Sequence, residues 1–125
     1  NRDLGLQFGH LMEKGQHLLF EGISQRLLNR GDILQFLIEC PKRINMTVII
    51  SPNVVASERG WAGVTVIAES HISVHTQALE VYVDVFSCRV FHSQDVVDLA
   101  ENLLLLQKIG KTKIREIRRG WGVLD

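Results

Sequence analysis

Two short stretches constrain this chain more than any others. From His71 to Thr76, Ile72 and Val74 alternate with Ser73 and His75; from Val81 to Phe86, Val81, Val83 and Val85 alternate with Tyr82, Asp84 and Phe86. A period of two is that of a β-strand, whose successive side chains point to opposite faces. Both stretches therefore predict strands with one apolar face for a core and one face turned to polar work. Met46–Ile50, bounded by Ser51-Pro52-Asn53, and Gly63–Glu69 are β-branched and apolar, and predict two buried strands. His17–Gly22 predicts a first strand closed by Gly22, and Lys111–Arg118 a last one.

Helical spacing occurs twice. Leu27, Leu28, Leu34, Leu37 and Ile38 recur at near-helical intervals within Leu27–Ile44. Ser24 is available as a cap, Gly31-Asp32 as a break with a fresh cap, and Pro41 as the expected kink or end. Ser93, with Asp95 in the first turn, caps a second helix through Val96, Val97, Leu99, Ala100, Leu103, Leu104 and Leu106, ended by Gly110. The residues before His17 read as a flexible lead-in or a short helix. Strand, helix, several strands, helix, strand is the order of an α+β fold: a two-layer sandwich, with an antiparallel-rich sheet and both main helices on one face. The bare sheet face needs a cover, and a second protomer would supply it in a homodimer of α/β/β/α arrangement.

With 125 residues, 46% of them hydrophobic, the chain suffices for one core and is expected to form a single domain over residues 1–125. Its 14 basic and 14 acidic residues cancel, so no global field recruits nucleic acid or anionic lipid, and a small neutral or zwitterionic ligand fits better. The apolar runs fall far short of the roughly 20 residues of a membrane span, which predicts a soluble protein. The two cysteines, Cys40 and Cys88, have neither zinc-site nor secreted-scaffold spacing, so a reducing cytoplasm is the expected location. Residue 1 is Asn, which places the expected native start upstream; no signal-peptide layout follows it. His10, His17 and His92 read as surface or structural and have no metal spacing among them, and Trp121 as packing on the sheet or dimer edge.

The chemistry-bearing segment is Gly63–Thr76, GVTVIAESHISVHT, followed by Val83–Cys88, VDVFSC. It resembles the centre of bacterial and archaeal S-adenosylmethionine decarboxylases. In that family a glutamate-serine bond inside an ESHxSxHT segment is cut by the protein itself, and a DVFxC segment follows. A weaker resemblance runs from about His17 to Arg118. It implies a β chain ending at Glu69 and an α chain beginning with a pyruvoyl group made from Ser70, with no metal and no pyridoxal phosphate. It also implies that His75 assists the proton transfers of self-processing and that Cys88 reprotonates the substrate carbon. Glu69 would stay at the site as negative charge near a cationic, amino-acid-type substrate.

The residue types suit that chemistry. A strained turn presenting the Ser70 hydroxyl to the Glu69 carbonyl permits an N-to-O acyl shift, and elimination across the ester gives dehydroalanine. A pyruvoyl carbonyl takes up a substrate amine as a Schiff base and serves as the electron sink for decarboxylation. A thiol donates protons near neutral pH because its reference pKa is about 8.5. His75 falls on the opposite strand face from Ser70, so a bend or bulge is expected to bring it back. Taken singly, each of these residues more often has a structural role; their joint order argues for the site.

Three departures from the family pattern bear on substrate and processing. Thr76 is followed by Gln77-Ala78-Leu79-Glu80 where the family has Trp-Pro-Glu, and Val54–Ser57 lacks the family's phenylalanine, which leaves Trp61 as the nearby aromatic candidate for substrate binding. Ala62 stands where the family has a serine that helps self-cleavage. The expected function is therefore a pyruvoyl-dependent decarboxylase of polyamine biosynthesis with S-adenosylmethionine as substrate. The alternatives are an ornithine or arginine decarboxylase, and an unprocessed homologue acting as a binding or regulatory subunit.

Overall fold

Along the central strands, alternation in sequence becomes a division between two faces of a sheet. Leu18 and Phe20 of β1 (Gly15–Ile23), Ile72 and Val74 of β4 (Ser70–Gln77), and Val81, Val83 and Val85 of β5 (Glu80–Ser87) are buried. They share one core with Phe36 and Leu37 of α1 (Arg30–Arg43) and with Val96, Val97 and Ala100 of α2 (Ser93–Leu103). The intervening residues His17, Leu19, His71, Ser73, Tyr82, Asp84 and Phe86 lie on the other face, each partly exposed. With β2 (Val48–Ala56), β3 (Trp61–Ile67) and β6 (Lys113–Arg119), the sheet has the order β2-β3-β4-β5-β1-β6, and every neighbouring pair is antiparallel. The computed structural model describes residues 15–107 and 112–119. The expected α+β sandwich is the observed one. His10, Gly110 and Trp121 lie outside the described residues. Among the described residues no helix is long and apolar enough to cross a membrane.

The helix ends differ from the sequence expectation for a local reason. Asn29 caps α1 by accepting the Asp32 N–H, and the Asp32 carboxylate accepts the Asn29 N–H in return. This capping box starts the helix ahead of Gly31-Asp32, where a break was expected. Ser24 instead donates its hydroxyl to the Leu104 carbonyl. Pro41 sits within the last turn without ending the helix, which closes at Arg43. The helix α2 stops at Leu103, short of Leu106.

The larger difference is β2, which runs through Ser51-Pro52-Asn53 to Ala56 instead of ending there. It is an edge strand paired only with β3, and its register shifts between Val48 and Ile50 and again between Ile50 and Asn53. An edge strand with bulges can hold a proline, because the missing N–H is not required by a second neighbour.

Candidate active site

The site lies where the β3–β4 hairpin meets the end of β5. Ile67 pairs with Ser70, leaving Ala68 and Glu69 as the connection, and the Ala68 N–H is held by the Thr47 carbonyl. Glu69 has φ 56°, in the left-handed region. For a residue with a Cβ this costs about 1–2 kcal/mol, and it falls on the residue whose carbonyl joins Ser70. Ser70 shares the strand parity of Ile72 and Val74 and is only 8% exposed.

Antiparallel pairing of β4 with β5 sets His71 opposite Phe86, so the start of β4 lies beside the chain as it leaves β5. There the Cys88 N–H donates to Ser70 Oγ at 3.1 Å, and Cys88 Sγ donates to Glu69 Oε1 at 3.1 Å. One residue thus touches both sides of the Glu69–Ser70 bond. Burial, and then the Glu69 carboxylate, push the Cys88 thiol above its ordinary pKa, against a smaller opposing effect of Ser70. The thiol is therefore kept protonated beside a hydroxyl and a carboxylate.

Glu69, Ser70 and Cys88 are brought together; His75 and Trp61 are not. No bend or bulge returns His75 toward Ser70, because β4 keeps one continuous register with both β3 and β5. His75 is exposed on the open sheet face, about 16 Å along the strand at ~3.3 Å per residue. Its cross-strand partners are Tyr82 and Ala62, so the two positions tied to processing by family resemblance face each other away from Ser70. They border an open cavity of about 370 Å³ that also reaches Ser73 and Asp84. Trp61 opens β3 at this far end. Its indole N–H donates to the Leu28 carbonyl at 3.1 Å and its backbone N–H to Thr76 Oγ1 at 2.8 Å, which ties it to the core rather than to the Ser70 end.

Several contributing residues escaped the sequence reading. Ser87 is completely buried and bonds to both the N–H and the carbonyl of Arg89. Gln16 is buried and bonds to the Phe91 backbone. The signal was available, since both occupy strand positions whose parity neighbours, Val85 and Leu18, are apolar. His17, read as surface or structural, is partly buried on the open face, 3.4 Å from Asp84 and edge-on to His71 and Phe86. Burial, and then the neighbouring His17, hold His71 below the usual histidine range; Arg119 adds to this and Asp84 opposes it. Among the described residues no group of three or more His, Cys, Asp and Glu side chains could hold a metal ion.

Residues 16–120 match the family model described as S-adenosylmethionine decarboxylase. The chain is 35% identical over 109 residues to an "S-adenosylmethionine decarboxylase proenzyme" of Pseudomonas aeruginosa strain LESB58, covering 83% of the chain and 65% of that relative's length. It is 32% identical over 113 residues to one of Clostridium botulinum strain Loch Maree, covering 85% and 94%. To one of Methanococcus maripaludis it is 33% identical over 116 residues, covering 88% and 93%. Among solved structures, the adenosylmethionine decarboxylase of Aquifex aeolicus superposes with a TM-score of 0.71 over 88% of the chain and 93% of its own, at 24% identity, a likeness of fold.

Proposed function

The chain belongs to the S-adenosylmethionine decarboxylase family, and we propose that it is a self-processing, pyruvoyl-dependent amino-acid decarboxylase of polyamine biosynthesis, cut between Glu69 and Ser70. The observation that carries this reading is the contact of Cys88 with both residues of that bond, at a Glu69 held in the left-handed region. Ser70 Oγ attacks the Glu69 carbonyl carbon; the peptide C–N bond breaks as the ester C–O bond forms, and the nitrogen keeps the hydroxyl proton. The Cys88 N–H, already on Oγ, favours charge building on that oxygen, and the strain at Glu69 is released as the amide opens. Loss of the Ser70 Cα proton then expels the Glu69 carboxylate and leaves dehydroalanine. Its imine tautomer takes up water and releases ammonia, which leaves a pyruvoyl group at residue 70.

The residues present fit that group: Ser70 supplies it, and its largely buried side chain is held in place by the Cys88 N–H. Once made, the pyruvoyl group supplies an electron sink for loss of carbon dioxide from an α-amino acid. Cys88, protonated and adjacent, delivers a proton to the substrate carbon, and Glu69 places negative charge where a cationic substrate binds. S-Adenosylmethionine is the substrate suggested by the relatives' names, with ornithine and arginine as alternatives because the family's Trp-Pro-Glu after Thr76 and its phenylalanine near Val54–Ser57 are replaced. Residues 1–125 act as one domain in the cytoplasm.

His75 cannot reach Ser70 along a straight β4, so its role in processing requires a second copy. The open sheet face, with partly exposed Leu19 and Phe86 beside His17 and His71, is the surface that a facing copy would cover. Ala62 opposite His75 favours a second reading, an unprocessed subunit that binds without catalysis.

Denaturing intact-mass measurement separates the readings. We expect two fragments divided at Glu69–Ser70, the second beginning with pyruvoyl, and release of carbon dioxide from one of the three substrates. Ser70→Ala should give one uncut, folded chain. A single full-length mass for the natural sequence would favour the unprocessed subunit, and cutting of Ser70→Ala would refute the site.

A further inference from the structure

We infer that Ser87 is a positioning residue for the reaction proposed above: its buried hydroxyl closes the backbone around Cys88, aiming the Cys88 N–H at Ser70 and the thiol at Glu69. This rests on the self-processing reading and names what sets its geometry. Ser87 continues the buried row Val81, Val83, Val85 in β5, where a larger apolar side chain would meet the pattern. A hydroxyl at such a position costs free energy unless it is hydrogen-bonded. Its bonds are local: Ser87 Oγ accepts the Arg89 N–H at 2.9 Å and donates to the Arg89 carbonyl at 2.7 Å, with Met46 Sδ 3.9 Å away. Both partners lie just beyond Cys88.

The hydroxyl therefore bends the chain at the end of the strand without linking it to another strand. Between Ser87 and Arg89, which these two bonds tie together, stands Cys88, whose N–H meets Ser70 Oγ and whose thiol meets Glu69. The segment is anchored again at Phe91, where the buried Gln16 side chain accepts the backbone N–H and donates to the carbonyl. With Phe91 fixed, the freedom left to Cys88 is what Ser87 removes. A side-chain turn of this kind is a recognised alternative to continuing a strand.

Two measurements test the assignment. The first is the cleavage rate after a pulse of cell-free synthesis, read by intact mass, for the natural sequence, Ser87→Ala and Ser87→Thr. Ser87→Ala should cut about tenfold more slowly, the loss expected from one buried hydrogen bond of ordinary strength. Ser87→Thr, which keeps the hydroxyl, should recover most of the rate. The second is the pH profile of Cys88 alkylation in uncut Ser70→Ala protein, with and without the Ser87 changes. Cys40, its thiol pushed up to about 12 by burial, should stay unreactive. Removing the Ser87 hydroxyl should free the thiol from Glu69 and move the Cys88 profile to lower pH; threonine should restore it.

An unchanged alkylation profile in folded Ser87→Ala would overturn the assignment, even with a lowered melting temperature. So would a threonine variant as altered as the alanine one. If the natural sequence is never cut, the processing reading fails while the alkylation profiles still decide Ser87. If Ser87→Ala does not fold, Arg89→Pro removes the N–H that Ser87 accepts at an exposed residue, and an unchanged alkylation profile in that variant would overturn the assignment.

Discussion

At its first residue β4 is enclosed: Ser70 is almost fully buried, and Cys88 holds both it and Glu69 through hydrogen bonds. At its other end the strand is open, with exposed His75 opposite Ala62 on a solvent-facing cavity. The two ends share one unbroken ladder, so the strand cannot fold back to join them. In the proposed reaction, the nucleophile and the bond it would attack are held within a single chain, whereas the histidine that would move protons faces outward. Under the proposed mechanism, the precursor is armed on folding and released only on assembly.

After the complete block expected of Ser70→Ala, the largest effect should come from His75→Ala, with cleavage falling at least about 100-fold, the usual scale for losing a general acid-base group. Co-expression with Ser70→Ala, which cannot cut itself but carries His75, should restore cutting of the His75→Ala chain. Failure to restore it would break the division between the two ends and return His75 to its own chain or to no role. Ala62→Ser, which adds a hydroxyl directly opposite His75, should speed cleavage by up to about tenfold, the scale of one hydrogen bond. An unchanged rate would separate Ala62 from the processing step.

The smallest effect concerns the enclosed end after processing. Proton delivery by Cys88 needs the S–H form, present below the thiol's pKa and lost above it. Because burial and Glu69 raise that pKa, normal product formation should persist above the ordinary thiol range near pH 8.5 and decline only at higher pH. In Cys88→Ala, cutting should continue while normal product formation falls and this alkaline limb disappears. A limb at the ordinary thiol value would place Cys88 in a less enclosed setting.

Much of this was legible because one-for-one alternation in His71–Thr76 and Val81–Phe86 leaves few alternatives to strands with one buried face. The order of Glu69, Ser70 and Cys88 was legible too, since antiparallel pairing brings the start of one strand to the end of the next. What sequence could not provide was which strand lies at the edge, and so Pro52 was read as a boundary when it is tolerated within β2. The bend expected between Ser70 and His75 failed for a related reason: it was needed only if His75 acted on its own Ser70, and the regular ladder has none. Ser87 and Gln16 went unread because a buried polar group reveals its purpose only through its partners, which lie in loops that pattern does not place.

One consequence follows from where the Glu69–Ser70 bond lies in the sheet order. A cut there leaves β1, α1, β2 and β3 on one polypeptide and β4, β5, α2 and β6 on the other. Across the sheet these belong in turn to the first, first, second, second, first and second piece. Three ladders, β3–β4, β5–β1 and β1–β6, then become contacts between separate molecules, and each piece keeps only one two-stranded ladder of its own, β2–β3 or β4–β5. The pieces are woven together by a chain that was continuous when they were placed. Once unfolded and diluted they would have to find each other in solution, so refolding would depend on concentration where the first folding did not. Self-cleavage, as proposed, would thus convert a fold reached by one molecule into an assembly whose history is part of its stability.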